Sequence, residues 1–264
     1  MNEVSYGQSP ILVSTSTFEV KIADSLHEIE AALRLRFEVF NLEMKEGLES
    51  SFEAGFDSDV YDTFCDHLIV KEKSSGSVVG TYRLLCQSKA EQHIGFYSEN
   101  EFDLSLLKRN TGRSLELGRS CVAKEFRSIA VINLLWSGIA RYIEKEGITH
   151  LFGCASLHST DPHHLAPAYY YLIHNHLAPK EFWVTPHIHC RIDFSNFNIE
   201  ESVHPAPFSS LPPLMKGYLR LGAVICGEPA VDREFGTTDF LILVDTAKIT
   251  ERYRDHYVKI EKVA

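Results

Sequence analysis

The run Leu115-Glu116-Leu117-Gly118-Arg119-Ser120-Cys121-Val122 sets a carboxylate and a guanidinium three residues apart, with a glycine between them. A basic turn, Lys124-Glu125-Phe126-Arg127-Ser128, follows at once and opens into a long apolar segment. A carboxylate suits the removal of a proton from an ammonium, which must be deprotonated before it attacks a carbonyl. Backbone N–H groups released where a strand is interrupted, here near Gly118–Ser120, can meet the negative charge that builds on the carbonyl oxygen. The unpaired N–H groups at a helix start, aided by the helix dipole, favour an anion such as a phosphate. These residue types in this order suit the movement of an acyl group from a phosphate-bearing thioester to an amine. A thioester is already activated, so Cys121 and Cys154 are not required as nucleophiles.

The elements that must position these residues can be read from periodicity. Residues 1–16 are polar and Ser/Thr-rich, a flexible or strand-adding arm. Residues 17–22 alternate apolar and polar as a strand does. Ser25 and Glu28 form a capping box before Ile29, Leu33, Phe37 and Phe40, which recur at helical spacing. Residues 41–63 predict a loop or short helix over a site, and a hairpin follows, from His67 through the turn at 74–77 to Leu85. Residues 88–113 are irregular, with a short helix near 102–109. Residues 114–123 predict a strand interrupted by a bulge at Gly118. A buried-face helix then runs from Ala130 to Glu146 and ends at Gly147. Residues 149–155 read as a central strand, 163–177 and 211–222 as helices, 238–245 as a final strand and 246–258 as an amphipathic helix. No repeat or linker divides the chain, so 17–264 is expected to be one mixed α/β domain with an insertion near 158–210.

Composition narrows the class. The 264 residues are 44% hydrophobic and 23% charged, ordinary for a globular chain with a sizeable core. A net charge of −10 argues against general nucleic-acid binding and against broad adhesion to anionic lipid. Within that acidic background, Lys108, Arg109, Arg113, Arg119, Lys124 and Arg127 form a basic island against Glu116 and Glu125. Such an island is either a solvated face or a dock for a partner carrying phosphate or acidic helices. The six cysteines include no CxxC pair, and no stretch reaches the roughly 18 apolar residues of a membrane span. Cytoplasmic residence is the expectation. The histidine pairs His163-His164, His174-x-His176 and His187-x-His189 lack the helical spacing and acid of a zinc site, so no metal is expected. Tyr169-Tyr170-Tyr171 and Trp183 suit a core, an acyl tunnel or peripheral contact with the inner membrane surface.

The order helix, hairpin, bulged strand, basic turn, long helix, strand resembles the Gcn5-related (GNAT) acyltransferase fold. That fold implies a central mixed twisted sheet with splayed strands, flanked by helices, here with a helical or loop insertion. In that superfamily the turn after the bulged strand holds the donor's phosphate. Here it reads Arg127-Ser128-Ile129-Ala130-Val131-Ile132, with Ala130 and Ile132 where glycines are usual. The bulkier turn favours a single-phosphate carrier over coenzyme A, which points to acyl carrier protein as partner. Arg36-x-x-Val39-Phe40, Asp62, Asp66, Tyr82-Arg83-Leu84 and Glu116-Leu117-Gly118-Arg119 resemble motifs of acyl-homoserine-lactone synthases.

A closer resemblance is to the bacterial ornithine N-acyltransferases. It is carried by Cys65-Asp66-His67-Leu68, by Glu116 to Val122, by Leu151-Phe152-Gly153-Cys154-Ala155-Ser156, and by the boxes from Gly222 to Asp239. Such motifs run from about residue 33 to 257.

That resemblance implies transfer of a 3-hydroxyacyl group from the phosphopantetheine thioester of acyl carrier protein to the α-amine of an amino acid, usually ornithine, with no bound cofactor. The implied catalytic residues are Glu116, Arg119 and Asp66. On the substrate side stand Arg36, Phe40, Arg83, Ser120, Cys121, Val122 and Ser156. Lys124, Arg127, Ser128, Ile129, Ala130 and Val131 would hold the phosphopantetheine. Each role has a structural rival. Asp66 either binds the substrate ammonium or caps a turn, and Arg36 and Arg83 either clamp a carboxylate or are buried partners of Asp62 or Asp66. Asp232 and Asp239 are expected to order the loop before the last strand. The alternative functions are an acyl-homoserine-lactone-like synthase and a non-catalytic acyl-carrier or lipid-binding module.

Overall fold

The computed structural model describes residues 10–47, 49–127, 129–194 and 208–249. In chain order the elements are β1 (Ile11–Ser14), β2 (Phe18–Ile22), α1 (Leu26–Arg36), α2 (Ser51–Ala54), β3 (Asp66–Glu72), β4 (Val78–Cys86) and α3 (Gln87–Gln92). There follow β5 (Phe102–Asp103), α4 (Ser105–Asn110), β6 (Ser114–Val122), α5 (Ile129–Glu146), β7 (His150–Leu157) and α6 (Pro162–His176). The last are β8 (Thr185–Pro186), α7 (Pro213–Arg220), β9 (Val224–Ile225), β10 (Ala230–Asp232) and β11 (Thr237–Asp245). Strand pairing is mixed and helices flank the strands, as the GNAT-like expectation requires. The chain divides into two compact units, one built on residues 10–89 and 117–147, the other on 90–116 and 148–249.

In the first unit β1 to β4 pair antiparallel, with Val13 opposite Val20, Val20 opposite Val70, and Leu68 opposite Tyr82. Val20, Leu68, Ile69, Val70 and Leu84 are fully buried because α5 and α1 cover them. Close approach of α5 depends on Gly138, where a Cβ would stand 2.7 Å from Val20 Cγ1 and 3.0 Å from Leu68 Cδ1. Gly147, at φ 64°, ends that helix in the left-handed conformation. Half of the expected capping box forms at the start of α1, with Ser25 Oγ accepting from the Glu28 N–H, while the Glu28 carboxylate accepts from the Asp24 N–H rather than from Ser25. The expected continuation to Phe40 changes form, since Phe37–Met44 is a π-helical turn closed by Lys45 at φ 60°. Of the N-terminal arm, Ile11–Ser14 is strand and residues 1–9 lie outside the described residues.

In the second unit β6 lies parallel to β7, in register from Ser114 and His150 to Glu116 and Phe152. β11 runs antiparallel to β7 along its whole length and also pairs with β9 and β10. Phe96 and Phe152 pack edge to face in this core, their centroids 4.8 Å apart. The Tyr-rich segment faces inward in part: Tyr169 is buried and stacks on Phe194 at 4.9 Å. Trp183 Nε1 donates to Ala178 O at 2.7 Å. Of the helix expected over 246–258, residues 246–249 are helical and the rest lie outside the described residues. Among the described residues no helix is long and apolar enough to cross a membrane.

β6 is irregular, as expected, but one residue beyond the expected position. Gly118 keeps an ordinary extended backbone, and the residue with positive φ is Arg119, at 49°. A Cβ on Gly118 would meet nothing closer than Arg83 Nε at 4.0 Å, so space does not demand a glycine there. The left-handed turn is held instead by the Arg119 side chain, whose Nη2 donates to Asp59 Oδ2 at 3.3 Å. A non-glycine residue in this region costs of order 1–2 kcal/mol and persists only where its surroundings over-determine it.

Candidate functional site

In the first unit three arginines meet three aspartates. Arg36, at the end of α1, is 1% exposed, and its Nε donates to Asp57 Oδ2 at 2.8 Å while Nη1 donates to Asp62 Oδ1 at 2.7 Å. Arg83, on β4, donates through Nη1 to Asp59 Oδ1 at 2.6 Å and to Asp62 Oδ1 at 3.3 Å. Arg119 reaches Asp59, and its Nε stands 3.5 Å from Asp57 Oδ2. Asp59 and Asp62 cap the start of the short helix Val60–Thr63 reciprocally, which fixes the turn that carries them both. Burial by itself would raise the Asp62 carboxyl. The Arg36 and Arg83 guanidiniums outweigh it and hold that group well below the usual carboxylate range.

Asp66, at the start of β3, accepts from Lys89 Nζ at 2.7 Å and from Tyr142 Oη at 2.7 Å. Phe40 packs on the cluster of Leu35, Val39 and Cys121. Burial pushes the Cys121 thiol up to about 12, which makes it inert as a nucleophile. Ser120 and Val122, flanking it on β6, are half-buried. Beyond them, Lys124–Phe126 is a short 3₁₀ turn whose C-cap is Arg127. Ala130 and Val131 lie in the first turn of α5, which begins at Ile129; Ser128 lies outside the described residues. Much of the basic island is ion-paired within its own unit: Lys108 with Glu99, Arg119 with Asp59, Arg127 with Glu43.

A separate acidic cluster lies in the second unit. Glu116, 5% exposed, accepts from the Tyr97 N–H at 2.7 Å, the Ser98 N–H at 2.8 Å and Ser98 Oγ at 2.5 Å. Ser98 Oγ lies 3.4 Å from Cys154 Sγ, which in turn lies 3.7 Å from Glu101 Oε2. Burial, reinforced by the negative charges of Asp239 and Asp232, pushes the Glu101 carboxyl up to about 9, so it carries a proton at neutral pH. Cys154 is likewise raised, first by burial and then by Glu101. Ligand atoms of Glu101, Cys154 and Asp239 lie within 4.8 Å of one another, the one such donor trio among the described residues. A cation there would have to displace the Glu101 proton. Ser156 on β7 stands opposite Asp239 on β11 in the sheet register.

Comparison with known proteins decides what family these clusters belong to. Residues 35–137 match the acetyltransferase (GNAT) domain family. The chain is 40% identical over 266 residues to the L-ornithine N(alpha)-acyltransferase of Brucella abortus (strain 2308), covering 96% of this chain and 93% of that protein. It is also 40% identical over 262 residues to the protein of the same name from Rhizobium meliloti (strain 1021), covering 94% and 87%. The chain belongs to the L-ornithine N(alpha)-acyltransferase family. It is therefore an acyltransferase of the GNAT type. The AHL synthase LasI shares the fold, with a TM-score of 0.51 at 14% identity over 88% of this chain and 91% of that one.

Within this L-ornithine N(alpha)-acyltransferase chain, the expected site residues fall into groups. Arg36, Arg83 and Arg119 come together on one aspartate loop, taking the rival reading in which the first two are buried partners of Asp62. Asp66 joins Lys89 and Tyr142 rather than that loop. Asp232 orders its turn as expected, accepting from the Glu234 and Phe235 N–H groups, whereas Asp239 is drawn into the Glu101 cluster. Sequence reasoning passed over Asp57, Asp59, Ser98 and Glu101. The density of aspartates over 57–66 set against arginines on flanking elements was a signal for the first two. Glu101, in an irregular stretch with no motif, offered none.

Proposed function

We propose that the protein transfers a 3-hydroxyacyl group from the phosphopantetheine thioester of acyl carrier protein to the α-amine of ornithine, giving a lyso-ornithine lipid. The observation that carries this reading is the 35–40% identity to four L-ornithine N(alpha)-acyltransferases over more than nine-tenths of the chain. The amine attacks the thioester carbonyl, the carrier thiol leaves, and the amine's proton passes to an acceptor. Glu116 is our candidate for the carboxylate that positions that acceptor, since its oxygens are anchored by the Tyr97 and Ser98 N–H groups and the Ser98 hydroxyl. Ser156 would line the substrate side beside the same cluster. Arg36, Arg83 and Arg119 shape the aspartate loop, and Phe40, packed with Cys121, and Val122 would line the substrate side. Asp66 acts as a positioning residue through Lys89 and Tyr142.

The donor's single phosphate docks, in this reading, on the turn of Lys124, Arg127 and Ser128 and on the start of α5 at Ile129, Ala130 and Val131. Carrier proteins are acidic, which suits that cationic turn. The lipid product implies peripheral contact with the inner membrane surface. Six cysteines that are all thiols suit a cytoplasmic setting. Mass spectrometry of lipids from cells expressing the chain tests the reading. An ornithine carrying one amide-linked 3-hydroxyacyl chain is the expected product. An acyl-homoserine lactone, or no new acylated amine at all, would overturn it.

A further inference from the structure

Arg127 is committed on all three of its nitrogens. Its Nε donates to Val122 O at 3.0 Å, while Nη1 and Nη2 donate to Glu43 Oε1 at 2.5 Å and Oε2 at 2.7 Å. Glu43 comes from 84 residues earlier in the chain, near the close of the π-helical turn Phe37–Met44. The first bond holds the guanidinium against its own strand end, and the other two fill the fork that a phosphate would take. Arg127 is 40% exposed and Glu43 33%, so solvent and ligands reach the pair. An exposed ion pair contributes little to stability. Its effect on an incoming anion is larger, because the carboxylate already neutralises the guanidinium and stays within a few ångströms of it.

We propose that Glu43 is a donor-selecting residue. This rests on the reading that the Arg127 turn docks the donor's phosphate. A carrier-bound phosphopantetheine brings one phosphodiester, a single negative charge that can exchange with Glu43 on the guanidinium fork. Coenzyme A brings a pyrophosphate and a further phosphate monoester to the same turn. With Glu43 beside it, that charge meets a carboxylate as well as a guanidinium, and like-charge juxtaposition is the common way for a site to reject a competitor. Glu43 thus adds an electrostatic filter against coenzyme A to the steric one set by Ala130 and Ile132.

The test is steady-state kinetics of wild type, Glu43→Gln and Glu43→Lys with the same 3-hydroxyacyl chain on acyl carrier protein and on coenzyme A. In Glu43→Gln the KM for the coenzyme A thioester is expected to fall about tenfold relative to the KM for the carrier thioester, the effect of one lost charge contact. Glu43→Lys should move the ratio further in the same direction. An unchanged ratio in both variants would overturn the proposal. Arg127→Gln separates its failure from that of the docking reading. If Arg127→Gln raises the KM for the carrier thioester while Glu43→Gln leaves the ratio alone, docking stands and selection by Glu43 falls. If Arg127→Gln leaves both KM values unchanged, the turn is not the dock and both readings fall.

Discussion

Glu101 holds a proton that the unfolded chain gives up, and this single group ties stability to pH. Its carboxyl is pushed from an ordinary 4.5 up to about 9 by burial and by the charges of Asp239 and Asp232. Between those values the folded state binds one more proton than the unfolded state, so the group's contribution is full below about 4.5 and is lost as pH rises toward about 9. Asp62 works in the opposite sense. Its depressed carboxyl stabilises the fold above 3.8 and loses that contribution in stronger acid. Glu101→Gln keeps the shape and removes the titration. Urea unfolding at intervals from pH 5 to pH 9 is expected to show a decline in wild-type stability that is shallower in the variant. Parallel declines in the two proteins would count against a protonated Glu101.

At the scale of elements, the loop of Asp57, Asp59 and Asp62 buries one aromatic ring, Tyr61, and sets its three carboxylates on arginines. Asp57 is fully buried on Arg36, so Asp57→Ala leaves a guanidinium with half its counter-charge in a dry site. Removing one member of a buried pair costs about 3 kcal/mol. Chemical denaturation should register a loss of that size. A loss under ~1 kcal/mol, the range of exposed pairs, would mean that the loop is held by something else.

The same elements explain how much the sequence disclosed. Continuous apolar runs exposed β3, β4, β7 and β11, which are buried along most of their length, and helical periodicity exposed α5. It also exposed the start of α1, because Ser25 and Glu28 carry capping chemistry in their side chains. Periodicity was blind to the π-helical turn at Phe37–Met44, whose departure from the α-helical path changes no residue type. It placed the irregularity of β6 at Gly118 because glycine is the usual bearer of positive φ. Arg119 bears it instead, held by Asp59 across 60 residues of sequence. The site was half legible for the same reason. Arg36, Arg83 and Glu116 announced themselves within short motifs, while their partners Asp57, Asp59 and Ser98 are set by contacts that no local spacing encodes.

At the scale of the whole molecule, one acidic chain presents a cationic turn, an arginine–aspartate loop and a buried acid cluster, and belongs throughout to the L-ornithine N(alpha)-acyltransferase family. The proposed reaction is an aminolysis of a carrier-bound thioester. The decisive measurement is a direct assay of purified protein with 3-hydroxyacyl carrier protein and ornithine, following free carrier thiol and amide product together. Equal release of thiol and formation of N(alpha)-acyl ornithine is the expected result. Thiol release without amide, or no turnover with ornithine, would contradict it.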